Sequence, residues 1–249
     1  MNWLLWHKYN VEMKHDSVYE LTPYLVEDKK APVVIVCPGG GYRMIARYIE
    51  GDPVAEFFQS QGYNAFVLRY HVKEKAHYPQ PLVDIATALN EVKDKYGLSL
   101  DNYALCGFSA GGHMCALFGT DEYGYKKFDL PKPTLLMLIY PVISLEKEIT
   151  HKSTRQYFAG ENDPEALEIG NIYHHVTDNY PKTFIWRGNA DRSVKHINSD
   201  LMIDELLKHN IECKYFKFKK VGHGVGLAEK TEAKDWPYDA VEFWKKVSK

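Results

Sequence analysis

Short apolar runs recur along the chain and alternate with stretches in which apolar residues repeat at helical spacing. The runs are nearly continuous in hydrophobic residues, as expected of strands that are buried on both faces of a parallel sheet. The predicted strands are residues 33–37, 65–68, 103–106, 135–140, 183–186 and 213–218. Parallel neighbours need crossover connections, usually helical, so the alternation predicts an α/β domain.

Helical periodicity predicts the connecting elements. Apolar residues at helical spacing indicate helices at 53–58, 82–96, 201–207 and 238–247. Gly62 and Gly97 then lie where helix C-caps are expected. Residues 17–24 come before the first parallel strand, alternate only in part and contain Pro23, which is typical of an antiparallel edge strand.

One segment breaks the alternation of strands and helices. Residues 144–180 are polar and lack a clear strand. We predict that they form an insertion or a small cap over the edge of the sheet. No internal repeat or low-complexity tract divides the rest, and 249 residues suit one large α/β domain. The prediction is therefore a single domain over residues 1–249.

Charge and composition exclude several classes of partner. The chain has 31 Lys and Arg against 33 Asp and Glu, a formal net charge of -2. This balance gives no bulk field to hold nucleic acid or an anionic membrane surface. The densest basic stretch, residues 214–220, is interpreted as a strand with outward lysines. No span approaches the roughly 20 apolar residues that cross a bilayer.

The four cysteines indicate the compartment. Cys37, Cys106, Cys115 and Cys213 show no C-x-x-C spacing, and three of them have apolar or aromatic neighbours. This usage is typical of buried thiols in a reducing compartment, and it argues against a zinc site. The first 15 residues lack the basic start and the long apolar run of a signal peptide. We expect a cytoplasmic protein.

Residues 107–111, Gly-Phe-Ser-Ala-Gly, fit the G-x-S-x-G pattern that holds a serine on a sharp turn between a strand and a helix. The pattern alone is weak evidence, because a Gly-Ser turn is usually structural. Its setting favours a catalytic role for the serine, since a predicted strand ends at residue 106 and a predicted helix covers 113–118. Ser109 is therefore a candidate nucleophile.

A serine hydroxyl needs a histidine base that is held by a carboxylate. Where this elbow occurs, the acid and then the histidine follow the serine along the chain. His223 lies in a glycine-flanked loop after the last predicted strand, and Asp191 follows strand 183–186. A helix N-cap is an equally good interpretation of Asp191 alone. His113 is too close to Ser109 in sequence to act on it, and His174 with His175 is weak evidence for a metal. We expect a triad of Ser109, Asp191 and His223.

Attack on an ester builds negative charge on the carbonyl oxygen, and preorganised N–H groups must receive that charge. Residues 37–42, Cys-Pro-Gly-Gly-Gly-Tyr, end the first parallel strand. A phosphate-binding loop is excluded because the G-x-x-x-x-G-K-[ST] pattern is absent. The predicted oxyanion donors are the backbone N–H groups of Gly40, Gly41 and Ala110.

These motifs together resemble the α/β-hydrolase esterases, especially the acetyl esterase and acetyl xylan esterase-like group related to hormone-sensitive lipases. The resemblance is carried by residues 38–42, 50–55, 107–113 and 222–227. It implies an α/β-hydrolase fold, with a mostly parallel central sheet and helices on both faces. Asp84 is similar to an acidic position of the family, where structural hydrogen bonding is expected.

The expected activity is that of a serine carboxylesterase acting on short acyl groups, acetyl above all, because residues 144–180 offer little apolar surface for a long chain. Small acetylated sugars, such as xylo-oligosaccharides, are the expected substrates. Tyr42 and Tyr157 are candidates to stack on a sugar, although packing is the more common role of such residues. The mechanism needs no metal or organic cofactor, and its rate should rise with pH as His223 becomes neutral.

Other functions stay open at this point. A feruloyl-type phenolic esterase is the nearest alternative. A prolyl oligopeptidase-like peptidase shares the elbow, but the chain has no room for a propeller domain. A non-catalytic binding protein of the same fold has no chemical reason to keep the whole catalytic set. The expected partner is a small-molecule ester, and the oligomeric state is open, with a homodimer as one option.

Overall fold

The computed structural model describes residues 19–249, which form one sheet of seven strands with helices on both faces. The strands are β1 (Glu20–Tyr24), β2 (Val33–Cys37), β3 (Asn64–Arg69), β4 (Tyr103–Phe108), β5 (Leu135–Ile139), β6 (Thr183–Gly188) and β7 (Cys213–Phe218). The helices are α1 (Arg47–Glu50), α2 (Asp52–Ser60), α3 (Gln80–Asp94), α4 (Ala110–Phe118), α5 (Lys152–Ala159), α6 (Pro164–Ile169), α7 (Ile197–Lys208) and α8 (Trp236–Val247). Two 3₁₀ turns cover Lys73–Ala76 and Ile172–His175.

The strand order across the sheet is β1-β3-β2-β4-β5-β6-β7. Strand β1 runs antiparallel to β3 at one edge, and every other neighbouring pair is parallel. The predicted mostly parallel sheet and the predicted edge strand are thus confirmed. Positions 17 and 18 of that predicted strand, and the prediction made for the first 15 residues, lie outside the described residues.

Side chains of successive strand residues pack alternately into two apolar cores, one on each face of the sheet. In β2, Val33 and Ile35 contribute to one core and Val34 and Val36 to the other. Helices α3, α4 and α7 cover the first core, and α2 and α8 cover the second. Burial on both faces explains why the central strands are continuous apolar runs rather than alternating ones.

Residues 144–180 form the predicted insertion, but they do not lie over an edge strand of the sheet, so only that part of the prediction is wrong. The segment belongs to the crossover between β5 and β6, which are adjacent strands inside the sheet. Its short helices bury Phe158, Ile169 and Ile172 in the first core. These apolar residues are too widely spaced to stand out in a polar stretch, which is why the sequence pattern suggested an appendage.

The parallel strands bring the candidate residues to one end of the sheet, where the loops after β2, β4, β6 and β7 meet. The register pairs Cys37 of β2 with Gly107 of β4, so the glycine-rich loop lies beside the serine turn. Strand β7 forms the other edge of the sheet, and its Lys214 and Lys217 are paired with Asp239 and Asp200. Among the described residues, no helix is both long and apolar enough to cross a membrane.

Candidate active site

Ser109 occupies the sharp turn between β4 and α4. Its φ of 52° and ψ of -114° lie in a region that a residue with a side chain rarely adopts. The turn is held by hydrogen bonds from Ser109 N to the carbonyl of Ile139 and from Val142 N to the carbonyl of Ser109. A Cβ at Gly111 would lie 2.0 Å from the carbonyl oxygen of Cys37, so only glycine allows this close approach of α4 and β2.

The structure brings Ser109, His223 and Asp191 into one hydrogen-bonded chain. His223 Nε2 lies 2.8 Å from Ser109 Oγ, and His223 Nδ1 lies 2.6 Å from Asp191 Oδ2. An ionised carboxylate only accepts, so Nδ1 carries the imidazole proton and Nε2 offers its lone pair to the serine O–H. The geometry required of nucleophile, base and orienting acid is therefore present.

Asp191 is not a helix N-cap, the other role considered for it, but it does stabilise its own loop. Its second oxygen, Oδ1, accepts hydrogen bonds from the backbone N–H groups of Ser193 and Val194, at 2.8 and 2.9 Å. These bonds form a turn within the loop after β6, whereas the N-cap of α7 is His196. One carboxylate thus shapes its own loop and orients His223.

The glycine-rich loop after β2 lies beside the serine. A Cβ built on Gly39 would be 2.9 Å from Ser109 Cβ, and Gly40 and Gly41 border the same cleft as Ser109 and His223. Gly40 and Gly41 have positive φ values of 127° and 65°. Ala110, which is fully buried, is the first residue of α4. That the N–H groups of Gly40, Gly41 and Ala110 receive an oxyanion stays a prediction.

Two residues of the site were missed by sequence reasoning. Glu50, only 2 % exposed, borders the cleft and accepts a hydrogen bond from Gly39 N at 2.7 Å. Burial raises the pKa of Glu50. His151, at the N-cap of α5, borders the cleft on the side of Gly41. Glu50 was noted only as the start of segment 50–55, because its partner Tyr140 is 90 positions away, and no motif marks His151.

His151 offers a hydrogen-bond donor to the cleft. Its Nδ1 accepts from Thr154 N at 3.4 Å, which leaves the ring proton on Nε2. Burial, and then the nearby His223, lower the pKa of His151, so the ring is neutral at pH 7. The next residue but one, Ser153, donates from Oγ to the carbonyl of Gly41 at 2.8 Å and holds the glycine-rich loop.

The cleft has a volume of roughly 320 Å³. The lining is mixed: Arg43, His151, Ser153 and Ser193 supply polar groups, and Met44, Ala46 and Ile49 supply apolar surface. Small size and mixed polarity suit a short acyl group joined to a hydroxylated alcohol.

Neither tyrosine proposed from the sequence borders this cleft. Tyr42 is fully buried, and its O–H lies 3.0 Å from His113 Nδ1, so the prediction that it stacks on a sugar is wrong. The ring of Tyr42 packs in the core, where it stacks on Phe158. Tyr157 is half-buried, packs against the same core and is not among the residues lining the cleft.

The other polar residues considered from the sequence have structural surroundings. His113 is buried, and its Nε2 lies 3.1 Å from the carbonyl of Gly170. Asp84 accepts from the backbone and the ring of His71, which confirms the structural hydrogen bonding expected of it. His174 pairs with Glu168 at the surface. Within residues 19–249, no group of three or more His, Cys, Asp or Glu side chains could hold a metal ion.

Known proteins of similar sequence are enzymes of polysaccharide and ester hydrolysis. The chain is 30% identical over 244 residues to endo-1,4-beta-xylanase B of Butyrivibrio fibrisolvens, covering 92% of this chain and 38% of that protein. It is 24% identical over 228 residues to the acetylxylan esterase of Xylanibacter ruminicola, covering 88% of this chain and 46% of that protein. The chain thus spans less than half the length of either relative.

A solved structure with a similar fold is the acetyl ester-xyloside bifunctional hydrolase from Caldicellulosiruptor lactoaceticus. It has a TM-score of 0.83 and 33% sequence identity, and the match covers 92% of this chain and 88% of that one. The sheet, the serine turn and this neighbour define the chain as a member of the α/β-hydrolase superfamily. More narrowly, it belongs to the BD-FAE family, whose model matches residues 22–206.

Proposed function

We propose that the protein is a serine carboxylesterase that removes short acyl groups, acetyl above all, from small sugar esters such as acetylated xylo-oligosaccharides. The observation that carries the proposal is the hydrogen-bonded chain from Asp191 through His223 to Ser109 at the base of a cleft of roughly 320 Å³. The relatives named for acetylxylan and acetyl ester-xyloside hydrolysis support the choice of substrate.

The proposed reaction begins when Ser109 Oγ attacks the acyl carbonyl carbon while His223 Nε2 takes the hydroxyl proton. Asp191 holds the imidazole in the required tautomer and stabilises the imidazolium. The N–H groups of Gly40, Gly41 and Ala110 receive the oxyanion. His223 then gives its proton to the leaving alcohol oxygen as the ester C–O bond breaks, and an acyl group remains on Ser109.

Water completes the proposed cycle. His223 takes a proton from the attacking water, the second tetrahedral intermediate collapses, and the proton returns to Ser109 as the carboxylic acid leaves. These steps use only side chains and backbone groups of this chain, so the proposal includes no metal or organic cofactor.

The proposal includes an intracellular place of action on imported sugar esters. Its support is that Cys37, Cys106, Cys115 and Cys213 are all free thiols, which is typical of proteins in reducing compartments. The polar lining residues support a hydroxylated alcohol, because His151, Ser153 and Ser193 can exchange hydrogen bonds with sugar hydroxyls.

The test compares the wild type and Ser109→Ala on 4-nitrophenyl esters whose acyl chains increase from acetate to dodecanoate. We expect the wild type to prefer acetate and the variant to lose about three orders of magnitude or more in kcat, as loss of a triad nucleophile causes. Ser60→Ala, an exposed serine at the end of α2, is the matched control and should keep wild-type rates.

Two results would contradict the proposal. Equal, slow rates for wild type and Ser109→Ala on every ester would remove the serine from the chemistry. A preference for methyl ferulate or for a prolyl peptide over acetylated xylo-oligosaccharides would replace the substrate by one of the alternatives and leave the mechanism in place.

A further inference from the structure

Glu50 is a buried carboxylate beside the candidate active site that the proposed mechanism does not use. It is 2 % exposed and lies at the end of α1. Among residues 19–249, no Lys or Arg side chain forms an ion pair with it. A buried charge without a cation is costly unless hydrogen bonds stabilise it. The hydrogen-bond partners of Glu50 should therefore indicate its role.

Both carboxylate oxygens of Glu50 accept hydrogen bonds. Gly39 N donates to Oε2 at 2.7 Å, and the O–H of Tyr140 donates to Oε1 at 2.8 Å. The Tyr140 oxygen in turn accepts from Gly226 N at 3.1 Å, so its own proton is directed to the carboxylate. Two donors on two oxygens favour the ionised form, against burial, which raises the pKa of Glu50.

Through its two partners, Gly39 directly and Tyr140 by its bond to Gly226, Glu50 connects the two loops that the reaction needs. Gly39 directly precedes Gly40 and Gly41, the predicted oxyanion donors. The ring of Tyr140 lies 4.7 Å from the imidazole of His223, measured between centroids, and Gly226 belongs to the same loop as His223. Tyr140 has a φ of 38°, a strained value for a residue with a side chain, and such strain is concentrated at functional sites.

We propose that Glu50 is a positioning residue of the esterase reaction. Through Gly39 and Tyr140 its carboxylate fixes the glycine-rich loop after β2 relative to the loop that carries His223, and its charge stabilises the imidazolium of His223. This inference rests on the proposed function. It predicts that a neutral residue of the same shape cannot replace Glu50.

Glu50→Gln tests this requirement directly. An amide has one acceptor and one donor group. If its NH₂ faces Gly39 N–H, two donors meet and the glycine-rich loop must shift. If its NH₂ faces Tyr140, the phenol proton must turn away, and the hydrogen bond that Tyr140 donates to residue 50 is lost. The charge is also lost, which disfavours protonation of His223 and moves the acid limb of the pH–rate profile to lower pH.

The other groups that face His223 stay constant in this variant. They are the carboxylate of Asp191 on Nδ1, the hydroxyl of Ser109 on Nε2, the neutral ring of His151 and the phenol of Tyr140. Burial raises the pKa of Tyr140 well above its usual range, so this phenol adds no charge below pH 9. A shifted acid limb is therefore attributable to Glu50.

The experiment measures kcat and KM for 4-nitrophenyl acetate between about pH 5 and pH 9, together with the melting temperature. Glu50→Gln should lower kcat by roughly 10- to 100-fold, as loss of supporting contacts around a site does, with KM changed less than about threefold. Its acid limb should move to lower pH. Glu56→Gln removes an exposed carboxylate of α2 and should change none of these values.

Tyr140→Phe is the second variant, and it tests the positioning role of Glu50 if Glu50→Gln does not fold. It keeps the ring against His223 but removes the hydroxyl that joins Glu50 to Gly226. We expect a lower kcat at unchanged KM. A wild-type kcat and an unmoved acid limb in a folded Glu50→Gln, or a wild-type kcat in Tyr140→Phe, would overturn the inference.

The rate of Ser109 labelling by a fluorophosphonate separates this inference from the proposed function. If the wild type is labelled but hydrolyses no ester, the proposed function fails, and slower labelling of Glu50→Gln still supports the positioning role. If esters are hydrolysed and labelling of Glu50→Gln equals that of the wild type, the positioning role fails alone.

Discussion

The imidazole of His113 is fully buried in the first turns of α4 and carries no charge. Its Nε2 lies 3.1 Å from the carbonyl of Gly170, an acceptor, so Nε2 holds the proton and Nδ1 accepts from the O–H of Tyr42 at 3.0 Å. Burial lowers the pKa of His113 to about 4, against the small opposing effect of the Gly170 bond. The folded protein therefore resists protonation of this ring.

This histidine should make stability depend on pH. Between pH 6.5 and pH 4 the unfolded chain binds a proton at His113 that the folded protein does not, so stability falls as pH falls through this window. The contribution lost between pH 7 and pH 5 is about 2 kcal/mol. His113→Gln keeps one acceptor and one donor but does not titrate.

Urea unfolding at pH 7 and pH 5 measures the effect. The wild type should lose about 2 kcal/mol more between these pH values than His113→Gln does. An equal loss in both proteins would mean that His113 is solvated or already protonated. His196→Gln, at an exposed position, serves as the control for a general effect of removing a histidine.

At the scale of residues, the sequence identified the side chains that have a fixed order along the chain. Ser109, Asp191 and His223 each follow a predicted strand, and the parallel sheet brings them within hydrogen-bond distance. Glu50 could not be found this way, because its partner Tyr140 is 90 positions away and no motif links them. Tyr42 was assigned wrongly because a tyrosine next to a glycine loop gives no sign of its burial.

Helix α5 connects the core to the cleft. Its Phe158 is fully buried, with ring centroids 4.7 Å from His113 and 5.9 Å from Tyr42. The same helix begins next to His151 and carries Ser153, which holds Gly41. A cavity at Phe158 should therefore affect both stability and the cleft.

Phe158→Ala should lower the free energy of unfolding by about 3 to 5 kcal/mol, since it removes contacts and leaves a cavity. If the variant remains folded at 25 °C, KM should rise as His151 and Ser153 lose their support. Urea unfolding and ester kinetics measure the two effects. Tyr157→Ala, its half-buried neighbour, should cost clearly less stability, and a larger loss there would contradict the packing described for α5.

At the scale of elements, continuous apolar runs and helical spacing predicted the parallel strands and the main helices well, because burial on both faces leaves a strong pattern. The predicted strand 213–218 has the same bounds as β7, and 33–37 the same as β2. The crossover from β5 to β6 was misplaced, because helices of six to eight residues are too short for a periodic signal.

The charge of the whole molecule predicts how salt affects catalysis. The formal net charge is -2, and the cleft is lined by an exposed cation, Arg43, and a buried carboxylate, Glu50. A neutral ester is not attracted by such a balanced distribution, so its capture should not depend on screening. An ester with a carboxylate in its acyl group, in contrast, would interact with Arg43.

We therefore expect kcat/KM for 4-nitrophenyl acetate to change less than about twofold from about 20 mM to about 500 mM NaCl. For mono-4-nitrophenyl succinate, kcat/KM should fall with salt in the wild type and respond much less in Arg43→Gln. Strong salt dependence with the neutral ester would reveal a long-range field that the composition does not indicate. Salt dependence that persists in Arg43→Gln would place the responsible cation elsewhere, because screening acts on whichever charge the substrate meets.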